Sequence, residues 1–290
     1  MEELATLWGR QLSTELHNTK RAINLYKGAH WKVAKEIVLE SNAELWVLSA
    51  GLGLLHGSAP ATGYSATFAK NSPDSISKIK YQQEFTSQTL HQRWWSLLCK
   101  QRLHSDYPRT LEELFSTYPD DRFVVAGSPA YIRASLPDLK SGIKCLANAT
   151  QQLVVITTTG SGLYDLEEIQ QFLLLGERKM ARHWLGGGDD TLNIKLAGHI
   201  LDKCHKKPKV SFEEVKQAIT AHASMLKDVK LPPRQKRMPS EVDEYIRRLL
   251  TRDTSISATK ALRQFRDDGN SFEEKRFRAR FAEVIGKLSR

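Results

Sequence analysis

Cysteine is scarce in this chain, with three in 290 residues, and Cys99, Cys145 and Cys204 are odd in number and widely spaced. They fit neither a disulfide framework nor a Cys-x-x-Cys zinc site, so reduced thiols are expected. His183, His199, Cys204 and His205 match no zinc spacing either, and no metal is expected. No apolar run approaches the ~20 residues that a membrane span needs, which argues against a membrane partner. Acids occupy the amino terminus, Met1-Glu2-Glu3-Leu4-Ala5, where a secretory signal carries bases, so a cytoplasmic location is expected. Also missing are the phosphate-loop Gly-x-x-x-x-Gly-Lys and the dinucleotide Gly-x-Gly-x-x-Gly in context, so neither ATP nor NAD, and no other cofactor, is expected. A Ser-His-Asp order and a His-Glu-x-x-His helix are absent too.

What is present is an ordinary globular composition, 40% hydrophobic and 26% charged, with an uneven charge. Residues 1–200 hold 21 Lys/Arg against 20 Asp/Glu, and residues 201–290 hold 22 against 13, so nearly all of the net +10 lies in the last ninety residues. A concentrated basic region suits a phosphate backbone, because neutralised phosphates release their condensed counterions. A solvated basic face would look the same.

Three apolar runs read as buried strands: Leu45–Leu48, Phe123–Ala126 and Leu153–Ile156. They lack strict alternation, as strands covered on both faces do, and helical patterns such as 29–39 and the cap at Thr110 separate them. The expected fold class is α/β, a mostly parallel sheet with flanking helices, followed by a basic all-helical region. Each strand runs into a Gly/Ser/Thr loop. The loops contain Ser49, Gly51 and Gly53; Ser128; and Thr158 and Ser161, and they are expected to converge on one ligand pocket. Taken singly, each loop also fits a tight turn with no ligand.

After Asp165 the pattern reads as helical. Gly186–Gly188 suggests a hinge, which gives domains 1–185 and 186–290, with caps expected at Ser211, Ser240 and Ser271. Ala258, Leu262 and Phe265 form one apolar helix face, 268–270 stops that helix, and Phe277, Phe281 and Val284 form the next, which is a helix-turn-helix-like end. The cations left around it, Arg263, Arg266, Lys275, Arg276, Arg278 and Arg280, are the DNA-contact candidates. In the first domain Lys27, His30 and Trp31 stand together at a helix start. His30 suits a general base or a donor, and Trp31 suits either a stacked base or the core.

The run Leu25-Tyr26-Lys27-Gly28-x-His30-Trp31, then 46–54, then Gly63-Tyr64-Ser65-Ala66-Thr67-Phe68, resembles the YaaA-related superfamily of peroxide-stress and DNA-modification proteins. The likeness covers roughly residues 25–75. Within that superfamily it is most similar to the DpdC family of the 7-deazaguanine DNA-modification systems. The resemblance implies hydration of the nitrile of 7-cyano-7-deazaguanine, already inserted in DNA, to the amide, alongside other proteins of such a system. By motif position it carries Lys27, His30, Ser49, Gly51, Gly53, Tyr64, Thr67 and Asp74 into the pocket. Two routes stay open: a cysteine nucleophile, for which Cys145 is a candidate by chemical type, or water activated by a carboxylate such as Asp74 or by a histidine. A strand near the amino terminus, expected of such domains, is not visible in residues 1–20, which read as a helix.

Overall fold

The computed structural model describes residues 1–14, 19–79, 86–101, 106–159, 164–229 and 233–288. Two compact units divide the chain, Met1–Asp228 and Val229–Arg290. Gly186–Gly188, where the sequence suggested a boundary at 185, lies inside the first unit. No helix of the described residues is long and apolar enough to cross a membrane.

The first unit opens with α1 (Glu2–Thr14), β1 (Lys20–Arg21), α2 (Ala22–Leu25) and α3 (Ala29–Ser41). A hairpin of β2 (Trp46–Ser49) and β3 (Gly53–His56) follows, with β4 (Pro60–Ala61) pairing back to β1. Then come α4 (Ser87–Lys100), α5 (Leu111–Thr117), β5 (Phe123–Ala126), α6 (Pro129–Ala134), α7 (Leu136–Ile143), α8 (Ala149–Gln152), β6 (Leu153–Thr158) and β7 (Leu173–Gly176). The unit ends with α9 (Arg178–Met180), a π turn over Ala181–Leu185, α10 (Leu192–Lys206) and α11 (Phe212–Met225).

The parallel sheet is small, in the order β5-β6-β7. Its middle strand is buried on both faces. Leu153 and Val155 face a core built with α4, α5 and α7, and Val154 and Ile156 face a second core built with α10 and α11. This is why β6 reads as a continuous apolar run instead of an alternating one.

The expectation for Leu45–Leu48 is corrected. That strand is not in the parallel sheet; it pairs antiparallel with β3, Trp46 opposite His56 and Ser49 opposite Gly53. Only three residues separate the two strands, far short of the dozen or more that a parallel crossover needs. Gly53 takes φ +73°, in the left-handed region that glycine enters without strain. The third parallel strand is β7, in a stretch expected to be helical. Its leucines favour helix intrinsically, and pairing with β6 overrides that preference.

The second unit contains β8 (Gln235–Lys236), α12 (Pro239–Arg252), α13 (Ala258–Asp267), β9 (Asn270–Ser271) and α14 (Glu274–Leu288). Its own core includes Val242, Ile246, Leu262, Phe265, Phe277, Phe281 and Val284. The apolar spacings of α13 and α14 thus do what the sequence suggested, and Gly269 at φ +76° turns the chain between them. The caps shift, however. Ser271 pairs with Lys236 in β9, ahead of the α14 start at Glu274, while α12 starts at Pro239, with the Glu241 carboxylate accepting from the Met238 amide at 2.7 Å. In the first unit Ser211 caps α11 as expected, in a reciprocal box with Glu214.

Candidate functional site

The first unit has a partly open cavity of about 750 Å³ between α3, the β2–β3 hairpin, α5, β5 and α10. Apolar side chains, among them Leu48, Leu54, Leu114, Val125, Ile194 and Leu201, line most of it. Its aromatic and polar part includes Tyr26, His30, Trp31, Trp46, Tyr64, Tyr118, Ser128 and Tyr131, with the charged Glu44, Asp121 and Arg122 also in the lining.

Local chain geometry explains this grouping. Gly28 at φ +100° precedes α3 and lets the chain turn sharply between Tyr26 and the first helical turn, which carries His30 and Trp31. Tyr26 and Trp31 then stack at 4.6 Å between ring centres, 23° from parallel. His30 meets Trp31 edge-on at 5.6 Å, and Tyr64 meets Tyr26 edge-on at 6.4 Å. Asn42, in the left-handed conformation at φ 51°, ends α3.

A hydroxyl chain links Tyr26 and Tyr64 to the hairpin turn. Ser49 Oγ is 2.7 Å from the Tyr64 hydroxyl, which is 3.2 Å from the Tyr26 hydroxyl. Ser49 Oγ also accepts from the amides of Gly51 (3.3 Å) and Leu52 (3.0 Å). The turn carbonyls are held as well: Trp94 Nε1 donates to Ala50 and Trp8 Nε1 to Gly51, each at 2.7 Å, and the Arg109 guanidinium donates to Leu52 and Leu54. The loop read as a ligand-binding turn therefore spends these backbone groups inside the fold. Gly51 is glycine because the Tyr64 ring lies where a Cβ would be, and Gly53 packs on Cys99.

Burial sets the protonation of these groups. It raises the Tyr26 hydroxyl well above the ordinary phenol range and also raises Tyr64, so both stay protonated donors. Burial lowers the His30 imidazole, opposed by a hydrogen bond to the Asp190 backbone and by the Asp190 charge. The Cys99 thiol, buried under the hairpin, is pushed up to about 12, chiefly by desolvation, which makes it unreactive.

Of the residues singled out in the sequence, His30, Trp31, Tyr64 and Ser128 line the cavity. Ser49 stands behind Tyr64, and Thr67 reaches the wall through the Tyr131 hydroxyl at 3.4 Å. Lys27 and Asp74 are exposed and outside the lining. Cys145 is half-buried against the core, with Sγ 3.7 Å from the Ser141 carbonyl, and Thr158 is also away from the cavity. Ser161 lies outside the described residues. Tyr131, which the sequence reading missed, follows Pro129 by half a helical turn, and a Pro-initiated helix after the Ser128 loop was the signal for it. Arg109 gave no signal at all.

In the second unit Arg263 and Lys275 are exposed and Arg266 is half-buried. Arg276 is exposed and lies over the Phe272 ring at 5.2 Å. Arg278 is bonded to the Glu274 carboxylate and to Thr259, and Arg280 is ion-paired with Asp243. Comparison with protein-family models, with curated proteins and with solved structures returns no match.

Proposed function

We propose that the protein is a DNA-modification enzyme that hydrates the nitrile of 7-cyano-7-deazaguanine in DNA to the 7-amide. The observation that carries this reading is the aromatic end of the cavity, where Tyr26, Trp31 and Tyr64 offer π faces and hydroxyl donors together. A flipped purine-like base needs such stacking surfaces and a few fixed donors. The basic second unit, with 16 Lys/Arg against 9 Asp/Glu, supplies the phosphate-binding surface, in which Arg263, Arg266, Lys275 and Arg276 are the contacts and α13–α14 the helix-turn-helix-like element.

The choice between thiol and water favours water. None of the three cysteines lines the cavity, and Cys99 is held as a neutral thiol. His30, at the wall and kept neutral by burial, takes a proton from water as the water oxygen bonds to the nitrile carbon. The π bond to nitrogen breaks, and the tyrosine hydroxyls stabilise the negative charge that develops there. The proton returned by His30 neutralises the nitrogen, and the resulting imidic acid tautomerises to the amide, one water having been added overall.

The test is to incubate the purified full chain with DNA carrying 7-cyano-7-deazaguanine, digest it, and weigh the nucleosides by mass spectrometry. A gain of one water on the modified base is expected, and His30→Ala should slow it by about 10²–10⁴-fold. An unchanged base accompanied by tight, salt-sensitive DNA binding would instead support a non-catalytic DNA-binding protein, a reading that the exposed cations of α13 and α14 favour without any use of the cavity.

A further inference from the structure

The parallel sheet ends at β7, and among the described residues no strand pairs with the outer edge of β7. The Thr159 amide donates to the Gly176 carbonyl at 3.3 Å, so Gly176, and Leu174 two residues earlier, direct their backbone groups to β6. Leu173 and Leu175 alternate with them and direct theirs away from the sheet. Neither the Leu173 carbonyl nor the Leu175 amide has a partner among the described residues. An open groove of about 490 Å³ runs along this edge, and Leu173, Leu174 and Leu175 all line it. Successive side chains of a strand point to opposite faces, so three consecutive residues border one groove only where it follows the backbone edge. Sheets protect such edges with charge, proline or a covering segment. The segment Leu173-Leu174-Leu175-Gly176 has neither charge nor proline.

We propose that the outer edge of β7 is an interface between two copies of this chain, paired antiparallel about a two-fold axis at Leu174, so that two three-stranded sheets become one of six strands. In this register the Leu175 amide of each copy donates to the partner's Leu173 carbonyl. One edge supplies both donor and acceptor, which is the self-complementarity that a two-fold interface requires. Charge points to a second copy in this direction. Glu168 and Arg178 are already ion-paired, with Lys140 and Asp189, whereas Glu167 and Arg182 are exposed and in no ion pair among the described residues. Glu167 precedes Leu174 and Arg182 follows it at a similar distance along the chain, so antiparallel pairing brings each toward its opposite charge on the other copy, and parallel pairing would bring like charges together. The proposal does not depend on the reaction assigned to the cavity.

Sedimentation equilibrium of the full chain at micromolar concentrations tests it. The wild type should sediment at twice the chain mass. Leu175→Pro removes the outward amide and none that bonds β6, so this variant should sediment at the chain mass, while Leu175→Ala, which keeps the amide, should remain at twice that mass. Circular dichroism first establishes that both variants are folded. Residue-resolved hydrogen exchange on the wild type reads the same contact without a substitution: the Leu175 amide should be protected in the dimer and lose that protection on dilution, whereas the Leu174 and Gly176 amides stay protected throughout. A monomeric wild type overturns the proposal, and so does a dimer in which the Leu175 amide exchanges freely.

Discussion

At the scale of single residues, the site depends on a glycine outside the cavity lining. A methyl group on Gly51 would overlap the Tyr64 ring, well inside van der Waals contact. Gly51→Ala must displace Tyr64 and with it the Ser49–Tyr64 bond, so a loss of about 1–3 kcal/mol is expected in urea denaturation, as for overpacked cores. His30 yields a second expectation. Burial holds its imidazole below the ordinary value, so its neutral, base-competent form persists to lower pH. The acidic limb of the pH–rate profile should therefore lie below about 6.5, the unperturbed histidine value, and a limb above that value would exclude His30 as the base. Which side chains would meet in the cavity was legible in part. Trp31 and His30 follow from their place at a helix start, but Lys27, three residues before His30, is exposed, because adjacency along the chain does not fix the direction in which a side chain faces.

Among the elements, the ion pair between α12 and α14 is the feature most open to titration. Arg280 holds the Asp243 carboxyl below the usual carboxylate range, chiefly through their hydrogen bond, with Arg247 and Lys287 adding to the effect. A carboxyl whose folded value is depressed contributes stability above its unfolded value and loses it as pH falls through the folded one. Urea midpoints followed from about pH 6 down to about pH 2 should consequently fall more steeply for the wild type than for Asp243→Asn. Identical slopes would show that the pair contributes nothing. The elements themselves were legible where local signals decide them: the run at 153–158, the helix from Ala29 and the Ser211 cap. They were not legible where pairing decides them. Whether Trp46–Ser49 joins a hairpin or a parallel sheet depends on the partner it meets, and Leu173–Gly176 is a strand only because β6 lies beside it. Ser271, expected at a helix start, lies in β9, paired with β8.

For the whole molecule, the charge is divided much as the fold is. Residues 229–290 carry an excess of seven positive charges on a unit with its own apolar core. Expressed alone, that segment should give a helical circular dichroism spectrum and a cooperative thermal transition; a gradual transition would mean that its core is insufficient by itself. If Arg263, Arg266, Lys275 and Arg276 each neutralise one phosphate, DNA affinity should fall about 10²-fold between ~50 mM and ~200 mM salt. Replacing any one of them should reduce the slope of log affinity against log salt by about one.

The turn at residues 49–53 bears on when the cavity comes into being. Its carbonyls are met by Trp8, Trp94 and Arg109, which stand 43, 44 and 55–57 residues away in sequence. Bringing such distant groups together costs loop entropy before any contact repays it. Ser49 ties the loop to itself through the Gly51 and Leu52 amides, but its carbonyls are met only once three remote segments have arrived. During refolding, then, native helical signal should recover before the ability to bind a ligand does.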